Sequence, residues 1–296
     1  MLRVVMLVVL SLLFVLPVTA QIDPQDFADP DGQFIDVNGV DTYVRLLGPE
    51  DGPGVVLLHG FLGSSFDWRF NADALAEAGY RVVTIDMPPY GLSEKVIELD
   101  YSHPGFAAFV RDVLDTLELD TVTMVGHSMG GNVLAHFALN YPERLERAVF
   151  VSAAVMVPSG GPTVPAGLLD SPLVSGLLNN IFRSALDSAR ESANLSEEEE
   201  ARLAATFEME GWNEAFIEVI RASENNAVDL DRLDEISVPV LMIWGEADDI
   251  VPVTDGEQLR ELIAGSVWIA YPEIGHTPMQ ENVDQFNADL LEFLDS

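Results

Sequence analysis

Short apolar runs alternate with amphipathic stretches along most of the chain. The runs hold hydrophobic residues at consecutive positions, which is typical of strands buried on both faces of a parallel sheet. The stretches between them repeat apolar residues every three or four positions, which predicts helices with one buried face. The predicted strands are residues 34–37, 40–47, 55–58, 81–85, 122–125, 148–151, 238–243 and 267–270, and the predicted helices are 66–78, 105–117, 132–139, 254–263 and 284–294.

This order of elements predicts an α/β fold. Asn38-Gly39 joins the first two strands and favours a tight hairpin turn, because both residues adopt positive φ. Strands and helices alternate after that hairpin, which predicts a mostly parallel central sheet with helices on both faces. Ligands of such sheets bind beyond the carboxyl ends of the strands. Candidate chemistry is therefore expected at those ends.

The alternation breaks between residues 156 and 237. This stretch begins with several prolines and glycines and continues with amphipathic segments, among them 168–182 and 197–207. No strand pattern occurs in it. We therefore expect a helical insertion at 156–237, within an α/β core made of 21–155 and 238–296.

The first 20 residues have the pattern of a secretory signal. Arg3 precedes a nearly unbroken apolar run, and Val18-Thr19-Ala20 places small residues before Gln21. The run is shorter than the roughly 20 residues that cross a bilayer. We expect cleavage after Ala20 and an exported protein, either secreted or periplasmic. An uncleaved membrane anchor with the enzyme facing outward is the alternative.

Acidic residues far outnumber basic ones. The 296 residues include 49 Asp and Glu against 14 Lys and Arg, a net charge of -35, and Lys95 is the sole lysine. Repulsion among these charges is screened by salt, so the composition indicates a halophilic protein, with a generically acidic protein as the alternative. The charge argues against nucleic acid and an anionic membrane surface as partners. Without cysteine, disulfides and thiolate chemistry are excluded.

The segment Gly126-His127-Ser128-Met129-Gly130 is the strongest chemical signal. It lies between a predicted strand and a predicted helix. A serine between two glycines there favours a sharp turn that projects its hydroxyl above the sheet. Bulkier residues at the two glycine positions would collide in so tight a turn. The N–H of Met129 is then available to an oxyanion, which needs a second N–H from a loop after an earlier strand.

This turn resembles the nucleophile elbow of the α/β-hydrolases, in which an acid and then a histidine follow the serine. Of the two later histidines, His136 lies in the helix after Ser128 and is expected to pack there. His276 follows the last strand, in a loop at its carboxyl end, and is the predicted base. The acid is expected after the preceding strand. Four carboxylates there are candidates: Glu246, Asp248, Asp249 and Asp255.

Three further segments resemble α/β-hydrolase motifs. The stretch 244–252 resembles the pattern in which a glycine and two variable residues precede the acid, which implies Asp248, with Asp249 as the alternative. His59-Gly60-Phe61 resembles the oxyanion loop, which implies that Phe61 supplies the second N–H and His59 braces the loop. The loop 86–93 resembles a motif in which the aspartate, here Asp86, is usually structural, although Pro89 stands in place of the motif's glycine. The resemblance covers roughly residues 34–155 and 238–294, and it implies that the insertion at 156–237 is the helical cap of an α/β-hydrolase core.

The resemblance implies acyl transfer to water with neither cofactor nor metal. Ser128 is the nucleophile, His276 the base and Asp248 the orienting acid, while the N–H groups of Phe61 and Met129 hold the oxyanion. We expect a carboxylesterase or small lipase, with a small-molecule ester that has an apolar acyl part as its substrate.

Several alternatives to ester cleavage stay open. A C–C bond hydrolase and a cofactor-free haloperoxidase-like enzyme share the fold, although the Ser-Gly-Pro-Gly-type loop of C–C hydrolases is absent. A protein with this fold can also be a slow-turnover ligand sensor or a non-catalytic binding protein.

Overall fold

The computed structural model describes residues 22–156 and 195–296, together with Ser171 and Gly176. The predicted signal segment 1–20 and nearly all of the predicted helical segment 168–182 lie outside the described residues. No helix within the described part has both the length and the apolar character that a membrane crossing requires.

The described residues form one eight-stranded sheet with the strand order β1-β2-β4-β3-β5-β6-β7-β8. β1 and β2 pair antiparallel, as do β2 and β4, and every other pair is parallel. The predicted mostly parallel α/β fold is thus confirmed. The strands are β1 Gly32–Val37, β2 Val40–Leu47, β3 Gly54–Leu58, β4 Arg81–Ile85, β5 Val122–His127, β6 Leu145–Val151, β7 Val240–Gly245 and β8 Val267–Tyr271.

Helices cover both faces of this sheet. In β3, Val56 and Leu58 belong to one hydrophobic cluster, whereas Val55 and Leu57 belong to another. Both faces of the strand are therefore buried, which explains its continuous apolar run. The helices are α1 Ala72–Glu77, α2 His103–Thr116, α3 Met129–Asn140, α4 Glu197–Glu208, α5 Trp212–Ala222, α6 Val253–Leu262, α7 Pro278–Glu281 and α8 Val283–Leu294.

The predicted hairpin turn is present, but the predicted helix at 66–78 is not continuous. Asn38 and Gly39 have φ of 54° and 88°, as the turn requires. A 3₁₀ helix spans Ser65–Trp68, and α1 begins only at Ala72. Between them, the buried side chain of Asn71 donates to the Met279 carbonyl at 3.1 Å and to a side-chain oxygen of α8 at 2.7 Å. The break follows from these distant partners, which the local hydrophobic spacing does not reveal.

The described part of the predicted cap is helical and contains no strand. Ser196 and Glu199 form a capping box that starts α4, as expected for a serine followed by acidic residues. In α5, Trp212 stacks on Phe216 with ring centroids 5.1 Å apart. The ring of Phe216 lies 5.8 Å from that of Phe61, in the loop after β3. Aromatic contacts thus pack this part of the chain against the carboxyl edge of the sheet.

Candidate active site

Ser128 occupies a strained turn between β5 and α3. Its φ of 50° and ψ of -115° lie outside the conformations that a serine ordinarily adopts. A Cβ on Gly126 would lie 2.4 Å from the Gly130 carbonyl oxygen, and a Cβ on Gly130 would lie 2.6 Å from that of Leu58. Glycine is therefore required on both sides of the serine, for the steric reason that the motif predicts.

Helix α3 begins directly after Ser128. Met129 is the first residue of this helix, so its N–H has no acceptor within the helix. The positive end of the helix dipole lies at the same point and favours negative charge. The Ser128 N–H donates to the Val151 carbonyl at 3.0 Å, which ties the turn to the end of β6.

His276 and Asp248 meet at the carboxyl ends of β7 and β8. The His276 Nδ1–H donates to Asp248 Oδ2 at 2.8 Å. A Cβ on Gly245 would lie 2.1 Å from the Gly275 carbonyl oxygen, so the two loops approach as closely as glycine permits. Among the four candidate acids, Asp248 is the one that contacts His276, while Asp249 is exposed.

The Asp248 carboxylate is held in its charged form. Burial by itself raises the pKa of this carboxyl. The hydrogen bond from His276 and those from the Val251 and Ile250 N–H groups, at 2.8 and 2.9 Å, outweigh burial and lower the pKa below its usual value. Oδ1 accepts from the two backbone N–H groups and Oδ2 accepts from His276, so the side chain is fixed for contact with the imidazole.

His127 links the serine turn to the loop of the base. Its Nε2–H donates to the His276 carbonyl at 2.9 Å, and the two rings lie 4.8 Å apart between centroids. Burial, reinforced by the neighbouring His276, lowers the pKa of His127 to about 3. The ring is therefore neutral near pH 7. The sequence gives no signal for this role, because nothing near His127 indicates a partner 149 residues away.

The loop after β3 approaches Ser128 from the other side. A Cβ on Gly60 would lie 3.3 Å from the Ser128 Cβ, so this glycine permits the approach. Phe61 comes next in the chain. The buried His59 accepts from the Met87 N–H at 3.0 Å and donates through Nδ1 to the Gly60 carbonyl at 2.7 Å. It braces the loop, as the sequence analysis expects.

Two other predicted residues have structural contacts. Asp86 accepts from the Ser65 N–H at 2.5 Å and from the Leu92 N–H at 2.7 Å, and so joins two loops. His136 is buried on α3, where its Nε2 lies 3.4 Å from the Asn226 carbonyl. Neither contact involves Ser128 or His276. Within the described ranges, no group of three or more His, Asp or Glu side chains is arranged to hold a metal ion.

Comparisons with known proteins agree with this fold. A family model of the α/β hydrolase fold matches residues 53–283. A 2-hydroxy-6-oxononadienedioate/2-hydroxy-6-oxononatrienedioate hydrolase of Paraburkholderia phymatum is 30% identical over 276 residues, which cover 88% of this chain and 95% of that protein.

Two solved structures are also similar. The meta-cleavage product hydrolase of Pseudomonas fluorescens IP01 is 26% identical with a TM-score of 0.70, and the match covers 89% of this chain and 97% of the other. An esterase of Exiguobacterium antarcticum is 25% identical with a TM-score of 0.72, over 90% of this chain and all of the other. From the family model, the named hydrolases and the fold, we conclude that the chain belongs to the α/β-hydrolase fold family and is a hydrolase.

Proposed function

We propose that Ser128, His276 and Asp248 act as the nucleophile, base and orienting acid of acyl transfer to water. The observation that carries this proposal is the Asp248–His276 pair, 2.8 Å apart, at the same sheet edge as the strained Ser128 turn. A serine hydroxyl becomes a nucleophile when a positioned imidazole takes its proton, and the imidazole needs a carboxylate to hold its tautomer.

The proposed reaction has two halves. In the first, the Ser128 oxygen bonds to a substrate carbonyl carbon while His276 takes the hydroxyl proton. The N–H groups of Met129 and Phe61 stabilise the oxyanion, and the leaving group departs with the proton from His276. In the second half, His276 activates water, which releases the acid and restores the serine. Neither half requires a redox change.

For the bond that is cleaved, we propose a carbon–carbon bond next to a ketone. The support is the 30% identical relative, which is named as a hydrolase of a dienedioate with 2-hydroxy and 6-oxo groups. Before cleavage, the 2-hydroxydiene must become its 2-keto tautomer, in which the 2-hydroxyl proton has moved to the diene carbon next to the 6-oxo group. Acyl transfer from that ketone then breaks its bond to this carbon, because the electron pair can move through the remaining double bond onto the 2-oxygen. The resulting dienolate oxygen takes the proton that His276 accepted from Ser128. This relative favours the C–C alternative over the ester cleavage that the sequence analysis placed first.

Ester cleavage is the second candidate. The 25% identical esterase supports it, and so does the His59-Gly60-Phe61 loop, which stands where C–C hydrolases carry a Ser-Gly-Pro-Gly-type loop. The two reactions share the acyl-enzyme and differ only in the leaving group. We propose that the cap at 156–237 makes this choice.

The deciding experiment compares both substrate classes on one preparation. One assay measures the loss of the dienol absorbance of 2-hydroxy-6-oxononadienedioate. A parallel assay measures p-nitrophenol release from esters with acyl chains of about two to sixteen carbons, and Ser128→Ala is the control in both. A dienedioate kcat/KM at least about tenfold above that for the best ester supports C–C hydrolysis. The reverse ranking supports an esterase, and no serine-dependent turnover of either class rejects the proposal.

Export and salt adaptation are separate proposals. The pattern of residues 1–20 supports export, and the net charge of -35 supports stabilisation by salt. For export, we expect N-terminal sequencing of the mature protein to begin at Gln21, whereas an intact N-terminus in the membrane fraction indicates an anchor.

For salt adaptation, we expect the midpoint of thermal unfolding to rise between dilute buffer and molar NaCl. A midpoint that does not change with salt contradicts salt adaptation.

A further inference from the structure

The loop that carries His276 depends on contacts outside itself. Glu273, three residues before the base, has a φ of 63°, a left-handed conformation that is unfavourable for a non-glycine residue. The Ala247 N–H donates to the Ile274 carbonyl at 2.9 Å, and His127 donates to the His276 carbonyl at 2.9 Å. In both of these hydrogen bonds, the loop of His276 contributes a carbonyl group and not an N–H. The N–H groups on either side of His276 need another partner.

That partner is the carboxylate of Glu281. Its Oε2 accepts from the Gly275 N–H at 2.8 Å. Its Oε1 accepts from the Thr277 N–H at 2.9 Å and from the Thr277 hydroxyl at 3.0 Å. One side chain thus bridges the residue before and the residue after His276. Hydrogen bonds to an ionised carboxylate are roughly twice as strong as neutral ones, so the bridge is a firm contact.

The helix that carries Glu281 is fixed to the core. Met279 of α7 is fully buried, and its carbonyl accepts from the buried Asn71 side chain at 3.1 Å. The neighbouring Gln280 accepts from Arg69 at 3.3 Å. α7 therefore has a defined position relative to the sheet, and Glu281 transmits that position to the loop of the base.

We propose that Glu281 is a positioning residue for His276. By holding both flanking N–H groups, it sets the place of the imidazole between Asp248 and Ser128. The inference rests on the proposed role of Ser128 and His276 and adds a residue that touches neither substrate nor the reacting atoms. Misplacement of a catalytic group by about 1 Å can cost on the order of a hundredfold in rate.

A carboxylate suits this position better than an amide. Two acceptor oxygens face donors on both sides of the loop, whereas glutamine has one acceptor oxygen and an NH₂ group that would face an N–H. Aspartate keeps both oxygens but is one methylene shorter. Glu281 is exposed, so either substitution changes little of the hydrophobic core. The exposed Glu292 of α8 offers a matched control.

The test measures the reactivity of Ser128 with a fluorophosphonate, which does not depend on the natural substrate. The serine oxygen bonds to phosphorus, the phosphorus–fluorine bond breaks, fluoride leaves and His276 takes the hydroxyl proton. For the full protein with Glu281→Gln, we expect the rate of phosphonylation to fall about 10- to 100-fold. With the substrate that the wild type hydrolyses, kcat should fall by the same factor, while KM stays within about threefold of wild type. Glu281→Asp should recover part of the rate, and Glu292→Gln should match wild type.

The outcomes separate this inference from the proposed function. A wild-type protein that is not labelled at Ser128 overturns the proposed nucleophile, and this inference with it. A labelled wild type and an equally fast Glu281→Gln overturn the positioning role alone. If Glu281→Gln does not fold, the folded Glu281→Asp variant decides, because wild-type reactivity in it contradicts a bridge that requires the full side-chain length.

Discussion

The two regions that meet at the candidate active site are held in place by different means. The turn of Ser128 is fixed by the backbone: glycines pack at distances that exclude a Cβ, and the serine itself has a positive φ. The loop of His276 is fixed by side chains, namely Asp248, His127 and Glu281. The first region is buried, and the second is partly exposed.

This difference determines how each region responds to substitution. A change at the glycines of the serine turn alters the path of the chain, so it affects folding and chemistry together. A change in the partners of His276 leaves the path of the sheet intact and shifts the base by a small distance. Substitution of these glycines should therefore lower stability and activity together, whereas substitution of the partners of His276 should lower activity in graded steps.

The largest effect is expected at the nucleophile. Ser128→Ala removes the attacking oxygen but no packing atom beyond it, so we expect turnover to fall by at least about 10⁴-fold while the thermal unfolding midpoint changes little. Steady-state kinetics and calorimetry on the same sample measure both. Residual serine-independent turnover close to wild type would show that the elbow is not the reacting centre.

A somewhat smaller loss is expected for the orienting acid. Asp248→Asn keeps the shape but can no longer stabilise the charged imidazole, and we expect kcat to fall about 10²- to 10⁴-fold. The exposed Asp249 provides the control, because Asp249→Asn should retain wild-type kcat. Equal losses in the two variants would contradict the assignment that the 2.8 Å contact with His276 supports.

Steric strain in the serine turn can be measured through stability. Gly126→Ala places a Cβ where the Gly130 carbonyl oxygen lies 2.4 Å away, so we expect about 3 kcal/mol of destabilisation. Gly265 has φ of 82° but open space around it, and Gly265→Ala should cost only about 1 kcal/mol. Chemical denaturation of both variants tests the contrast, and a milder effect at Gly126 than at Gly265 contradicts it.

The last predicted effect is gradual and concerns His127, which joins the two regions. Its pKa is about 3 in the folded protein and near 6.5 when unfolded, so between these values only the unfolded chain gains the proton. The free energy of unfolding should therefore rise with pH across that window, by at most about 1.4 kcal/mol per pH unit from this group, and level off above it. The contribution is present above pH 6.5 and is lost as the pH falls.

His127→Gln isolates that contribution from those of the other histidines. Denaturation curves of wild type and variant at several pH values are compared, and the variant should show a shallower rise below about pH 6.5. Parallel curves for the two proteins would mean that His127 takes up its proton as readily in the folded state as in the unfolded one.

Much of the fold could be predicted from periodicity. Apolar runs marked each strand to within a few residues, and Asn38-Gly39 marked the hairpin, because burial and backbone sterics act locally. The continuous helix predicted at 66–78 was wrong, since Asn71 takes its partners from the last two helices. Such a contact leaves no periodic signal near the residue itself.

The sequence by itself determined the strand order along the chain, the glycine-flanked Ser128 and the placement of His276 after the last strand. Local sterics and hydrophobic burial suffice for these. Strand position left four nearby acids as candidates, and only the resemblance to a family motif pointed to Asp248. The tertiary structure shows Asp248 in contact with His276, and it alone revealed His127 and Glu281 as partners of the base loop. Hydrogen bonds between loops depend on how distant strand ends converge, and that convergence is a property of the folded sheet.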